Sequence, residues 1–321
     1  MRESLACIIP TFFGLSGQAE ERRKLYFKAA KHWKKAGLPI HTVEIHRKGT
    51  LPVLNEVSNL HAIETESAMF FKENAINLGA KFLIRQGFSK IVWIDADSYF
   101  LSNDWVDEIS RLLDKHALIQ CCDVVQRPSR IPFYPESIHS IVSARNEGTP
   151  GPGHDGGAWA ARKEFFEAGG IWPHEIISGS ALKLMILNGW KKGHPGHPIF
   201  DLLKDPDCEA LARSYWSHLK KIEPFLNALV CAKRTIHQCH HGSLAGRDAI
   251  HARRYSLYKK FCFDPFTDLH TEETGMVRFT GNNPGFERAV AAYLSAWDGL
   301  IPWSQVEAIE QENKGILRKA I

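Results

Sequence analysis

The chain has 321 residues, with 40 basic and 36 acidic side chains and a formal net charge of +4. A hydrophobic fraction of 44% with 24% charged residues excludes a disordered chain and supplies apolar surface for one large domain or two fused lobes. No apolar run approaches the ~20 residues that span a bilayer. The mild basicity falls short of a histone-like nucleic-acid binder, and seven irregularly spaced cysteines read as reduced thiols, so a cytoplasmic protein is expected.

In chain order, Leu5–Ile9 is a short apolar run stopped by Pro10, which predicts a buried first strand. A polar loop over Gly14–Gln18 leads to a helix with Leu25, Ala29, Ala30 and Trp33 on one face and Gly37 just past its end. His41–Ile45 fits a second strand by its β-branched residues. Ala68, Phe71, Ala75, Leu78 and Phe82 then recur at helical spacing. Met69, Ile76 and Leu83 make the opposite side apolar, so this helix is expected to be buried on more than one face. Lys90–Ile94 reads as a strong strand, followed by a helix around Asp104–Leu113. Alternating strands and helices predict an α/β protein whose parallel sheet carries helices on its faces. Ligands of such sheets bind at the carboxyl ends of the strands, which directs attention to Thr11, Glu44 and Asp95.

The second half is less regular. Gly148–Gly153 is a turn segment, Ala158–Ala168 a strand running into a helix closed by Gly169-Gly170, and the chain after Phe261 a mainly helical tail. Residues 1–125, 126–260 and 261–321 are therefore the expected divisions.

Chemistry concentrates in Ile91-Val-Trp-Ile-Asp95-Ala-Asp97. Two carboxylates one residue apart, where a buried strand ends, suit a hard divalent cation that also binds phosphate oxygens. Between Ala228 and Lys260 stand seven Lys/Arg and one acid, Asp248, together with His237, His240, His241 and His251. Such a stretch is either an anion site or a solvated helix face. Cys231, His237, Cys239, His240 and His241 lack the second ligand pair of a structural zinc site. Gly151–Gly157 lacks the Gly-Lys-Ser/Thr ending of a phosphate loop.

Several ordered fragments add a resemblance. They are Arg22-Arg23, Leu38–Ile45, Phe71-Lys72-Glu73-Asn74, Val92–Asp97, Gly157–Glu164, His241-Gly242, Arg254-Tyr255 and Phe263-Asp264-Pro265. Together they resemble nucleotide-sugar glycosyltransferases of the GT-A fold, in particular a family-2-like bacterial and phage group, from the first strand to Asp268. The resemblance implies a Rossmann-like, mostly parallel sheet and a metal-dependent transfer from a nucleoside-diphosphate sugar to a hydroxyl of a saccharide or a modified DNA base. It implies that Asp95 holds the sugar or ribose and that Asp97 coordinates Mn²⁺ or Mg²⁺ bridging the diphosphate. Thr11 and Glu44 would line the nucleoside pocket, and Lys72 would be a donor-site cation. His241, with His240 beside it, matches a late metal ligand, and Arg247, Arg253 or Arg254 would close over the leaving group. One element departs from the pattern. Relatives carry Gly-Asp ahead of a Met, whereas Ile177–Met185 contains no Asp. Either Asp155 or another residue, Glu175 being the nearest carboxylate, then serves as the base, or the transfer is not inverting, or activity is reduced. The alternative function is a catalytically reduced module that binds a nucleotide or sugar.

Overall fold

The computed structural model describes residues 4–12, 18–128, 135–148, 153–177, 179, 181–188, 198–239 and 254–317. Strand β1, Leu5–Thr11, is buried at every residue. It continues through Pro10, where a stop was expected. Cys7 donates its N–H toward Pro39, on the β2 side, so by alternation Pro10 turns its nitrogen the other way, toward β4. That neighbour pairs only with Leu5–Ile8, so no ladder bond is lost at Pro10.

Helix α1, Ala19–Trp33, ends in a short 3₁₀ turn capped by Gly37 at φ 72°, as the sequence predicts. Then follow β2 (Ile40–Arg47), β3 (Leu60–Thr65), α2 (Lys72–Arg85), β4 (Lys90–Ile94), β5 (Ser98–Phe100) and α3 (Trp105–Leu113). The middle of the chain forms β6 (Leu118–Gln120), β7 (Val124–Pro128), β8 (Pro135–His139), α4 (Ile141–Glu147), β9 (Ala158–Arg162) and α5 (Lys163–Glu167). After these come α6 (Ala181–Asn188), α7 (Pro198–Leu202), α8 (Glu209–Leu226), β10 (Val230–Cys231) and β11 (Thr235–Gln238).

Seven strands make the central sheet in the order β10-β6-β9-β4-β1-β2-β3. All run parallel except β9, which is antiparallel to both β4 and β6. From β1 the chain builds outward through β2 and β3, then returns to place β4 on the other flank of β1. This reversal of strand order is the switch point at which sheets of this kind bind ligands. A second sheet, β5-β11-β7-β8, stands beside it.

Alternating side chains of the central strands feed two cores. Ala6, Ile8, Ile91, Trp93 and Trp159 point to the face covered by α2, α6 and α8. Leu5, Cys7, Ile9, Val92 and Ile94 point to the face covered by α1 and α3. The architecture is thus α/β, a mainly parallel sheet flanked by helices, as expected for a GT-A-like protein.

The C-terminal region is helical over Ser256–Lys260, Pro284–Trp297 and Trp303–Leu317, with a hairpin of β12 (Leu269–Thr271) and β13 (Val277–Phe279). It joins the larger core through Phe263, Val277, Phe286 and Val290. Asn74 in the first turn of α2 fastens it there. Its amide donates to the Gly275 carbonyl at 2.9 Å, and its side-chain oxygen accepts from Val277 N–H at 3.2 Å. All seven cysteines are unpaired. Among the described residues no helix is long and apolar enough to cross a membrane.

Candidate functional site

The carboxyl end of β4 delivers Asp95 to the switch point, and α2 delivers Lys72 from its first residue. Lys72 Nζ lies 2.6 Å from Asp95 Oδ1. Burial alone would lower the Lys72 ammonium. Asp95, with Glu73 and Asp155 behind it, more than reverses that and leaves its pKa raised. The second Asp95 oxygen accepts the N–H of Gly157 at 2.9 Å.

Because β9 runs antiparallel to β4, the residues that precede β9 lie beside those that follow β4. His154-Asp155-Gly156-Gly157 therefore meets Asp95. The two glycines have separate reasons. Gly157 has φ 93°, a backbone conformation that side-chain-bearing residues rarely adopt. At Gly156 a β-carbon would stand 2.9 Å from His154 Cε1 and 3.0 Å from Asp95 Oδ2. His154 Nδ1 accepts the Gly156 N–H at 3.1 Å. Burial lowers the pKa of this imidazole against the pull of Asp155 and Asp95, which keeps it a neutral acceptor.

Asp155 lies 3.6 Å from Lys183 Nζ on α6. Burial works to raise its carboxyl, but Lys183, His154 and Lys72 outweigh burial and hold it at about 2. Asp155 is an ionised carboxylate throughout the physiological range.

Beneath this group Glu73 and Glu175 are both buried. Glu73 accepts the Ala181 N–H at the start of α6 at 3.3 Å, and Tyr258 donates to Glu175 at 3.4 Å. Glu175 is 1% exposed and faces this buried partner, so it is not presented to an acceptor in solvent.

The structure thus brings together Lys72, Asp95 and Asp155. Thr11 ends β1, buried, and donates to the Val43 carbonyl at 3.3 Å. Glu44 is also buried, and its two oxygens accept the N–H groups of Val53 and Leu54 at 2.7 and 2.9 Å, shaping the loop after β2. Asp97 follows Asp95 in the turn just before β5. It is 8% exposed, accepts from Ser98 Oγ at 3.2 Å, and receives the Cys239 N–H on its backbone carbonyl at 2.7 Å. Arg254 is buried with its guanidinium 4.6 Å from the Tyr255 ring centroid. His241 and Arg247, like His240 and Arg253, lie outside the described residues. Among the described residues no three His, Cys, Asp or Glu side chains gather as ligands of one ion would. Asp97 without His241 does not make a metal site.

Sequence reasoning missed Lys183, the His154 ring and the buried Glu73. Lys183 stands in Ile177–Met185, the stretch singled out for its missing acid, and a lysine there was the available signal.

No family model matches the sequence, and no curated protein matches it. Solved structures with a similar course of the chain include 4-diphosphocytidyl-2C-methyl-D-erythritol synthase from Anaerococcus prevotii. It is 12% identical, covering 78% of this chain and 95% of that one at a TM-score of 0.35. A mutant of Drosophila beta1,4-galactosyltransferase 7 in complex with manganese, UDP-Gal and xylobiose is 10% identical, covering 78% and 80%, also at 0.35. A glycosyltransferase involved in glycosylation of the major capsid of PBCV-1 is 9% identical, covering 77% and 98%, at 0.30. Scores this low carry no argument about activity, and the fold class rests on this chain's own strand order.

Proposed function

We propose that the chain is a glycosyltransferase that moves a sugar from a nucleoside-diphosphate sugar to a hydroxyl of a saccharide or a modified DNA base. One observation carries this reading: the pairs Lys72–Asp95 and Lys183–Asp155 meet at the switch point of a mainly parallel sheet. Ammonium groups suit a diphosphate, and a carboxylate fixed by Gly157 suits the hydroxyls of a sugar.

Asp155 is the base. As the acceptor oxygen bonds to the anomeric carbon, its proton passes to Asp155. The bond from that carbon to the phosphate oxygen breaks, and its electron pair leaves on the diphosphate. Thr11 and Glu44 border the nucleoside, Glu44 through the loop it shapes. Arg247 and Arg254 are assigned to the leaving group. Mn²⁺ or Mg²⁺ is assigned to Asp97 completed by His241, where it would neutralise charge on the diphosphate.

A second reading, a module that binds the nucleotide without turnover, is favoured by the weak basicity of Asp155 beside Lys183. Both readings are tested by calorimetric titration of UDP, GDP, CDP and dTDP with and without Mn²⁺. One nucleotide should bind tightly and only with metal; no binding of any of the four under either condition overturns both. Donor hydrolysis or transfer then separates enzyme from module. A DNA acceptor would show itself by activity that falls steeply with salt, because each phosphate contact releases counterions.

A further inference from the structure

The two ion pairs of the site are unequal. Lys72 sits at 2.6 Å from an Asp95 whose other oxygen is pinned by Gly157. Lys183 stands 3.6 Å from Asp155, beyond ordinary hydrogen-bond length, so charge and not a tight contact holds it there. We propose that Lys183 is a positioning residue that exchanges partners: it masks Asp155 while no anion is bound, and moves to the diphosphate of a bound donor, which unmasks Asp155 as the base. This rests on the glycosyltransferase reading and adds the event that switches its base on.

Charge balance drives the exchange. Two ammonium groups face two carboxylates, with side-chain exposures of 25% and 16% in the Lys72 pair and 20% and 28% in the Lys183 pair. Solutes reach them, yet water solvates them poorly, and a charge that loses its partner there is costly. A carboxylate held as acidic as Asp155 takes little of a sugar hydroxyl's proton. An incoming anion that draws Lys183 away removes the cation beside Asp155 and adds negative charge nearby. Both changes raise the affinity of Asp155 for a proton. Anion binding and proton uptake by Asp155 are therefore linked, and by reciprocity each strengthens the other. During transfer the exchanged arrangement places Lys183 on the oxygen that receives the electron pair of the breaking bond. Asp155 meanwhile accepts the proton released as the new bond forms, so the charges of the site remain matched.

The probe is inorganic pyrophosphate, titrated calorimetrically with and without Mg²⁺ at about pH 5.5, well above the Asp155 value. Two buffers of different ionisation enthalpy give the number of protons taken up. Wild type should bind with proton uptake in excess of that seen for Asp155→Asn. Lys183→Met should bind about tenfold more weakly, as expected for loss of one charge-assisted contact, and show less Asp155-dependent uptake than wild type, because only the added negative charge of the anion remains to raise the proton affinity of Asp155. Lys183→Arg should restore both, and serves as the folded control if the Met variant does not fold. If wild type binds pyrophosphate but Asp155→Asn takes up as many protons, or Lys183→Met binds as tightly, partner exchange is wrong while the diphosphate reading stands. Absence of pyrophosphate binding by wild type removes both.

Discussion

Glu73, 3% exposed at the first turn of α2, has one oxygen on the Ala181 N–H and the other without a partner among the described residues. Burial first, and Glu175 second, push its carboxyl from 4.5 up to about 8 against the pull of Lys72. Between those values the folded chain keeps a proton that the unfolded chain releases. The stabilisation is complete below the unfolded value and is lost as pH climbs through the folded one. Each pH unit inside the window is worth about 1.4 kcal/mol, so raising pH from about 5 to about 7 should cost up to roughly 3 kcal/mol.

Glu73→Gln keeps the shape of the protonated acid and an oxygen for Ala181, but cannot ionise. Urea unfolding of both proteins at a series of pH values should show the variant gaining on wild type as pH rises across the window. The half-buried histidines His154, His174 and His218 act in the opposite direction, since partial burial lowers their pKa values and stability rises toward neutral pH. They are common to both proteins and cancel in the difference. A difference that stays flat with pH to within about 0.5 kcal/mol would show that Glu73 is ionised in the fold and refute the reasoning.

Two further substitutions probe the site. Gly156→Ala should destabilise by about 1–3 kcal/mol, because the added methyl displaces the His154 ring or the Asp95 carboxylate. It should also weaken nucleotide binding. An unchanged urea midpoint together with unchanged affinity would mean that the contact at Gly156 is loose. Asp97→Asn preserves shape and removes charge, so it should fold normally and lose at least about tenfold of the Mn²⁺-dependent part of nucleotide affinity. Full Mn²⁺ dependence in the folded variant would remove Asp97 as a ligand.

What was legible in the sequence were the elements that the core dictates. Lys90–Ile94 is found at the predicted residues because a strand buried on both faces must be a continuous apolar run. Ala158–Arg162 passes into a helix that Gly169 and Gly170, both at positive φ, bring to a close. β3 was not foreseen. It is the half-exposed edge of the sheet, and Leu60–Thr65 has no apolar run to announce it. At the site, the acids after β4 were visible from their position alone. The meeting of Asp155 with Asp95 was not, since it depends on β9 running against β4, and strand direction leaves no trace in residue periodicity. Glu44 illustrates the converse. A strand-end carboxylate reads as ligand-facing, but the N–H groups of Val53 and Leu54, nine and ten residues downstream, satisfy it locally.

The clasp of Asn74 on the hairpin bears on how the protein matures during synthesis. Asn74 is separated from its partner Gly275 by 201 positions. At ribosomal rates of roughly 5–20 residues per second, the nascent chain waits about 10–40 s between releasing one and releasing the other. Throughout that interval the first turn of α2, which carries Lys72 and Glu73, lacks its downstream anchor. A prematurely terminated product ending before the hairpin would leave the side of α2 that carries Asn74 and Lys81 without its partners.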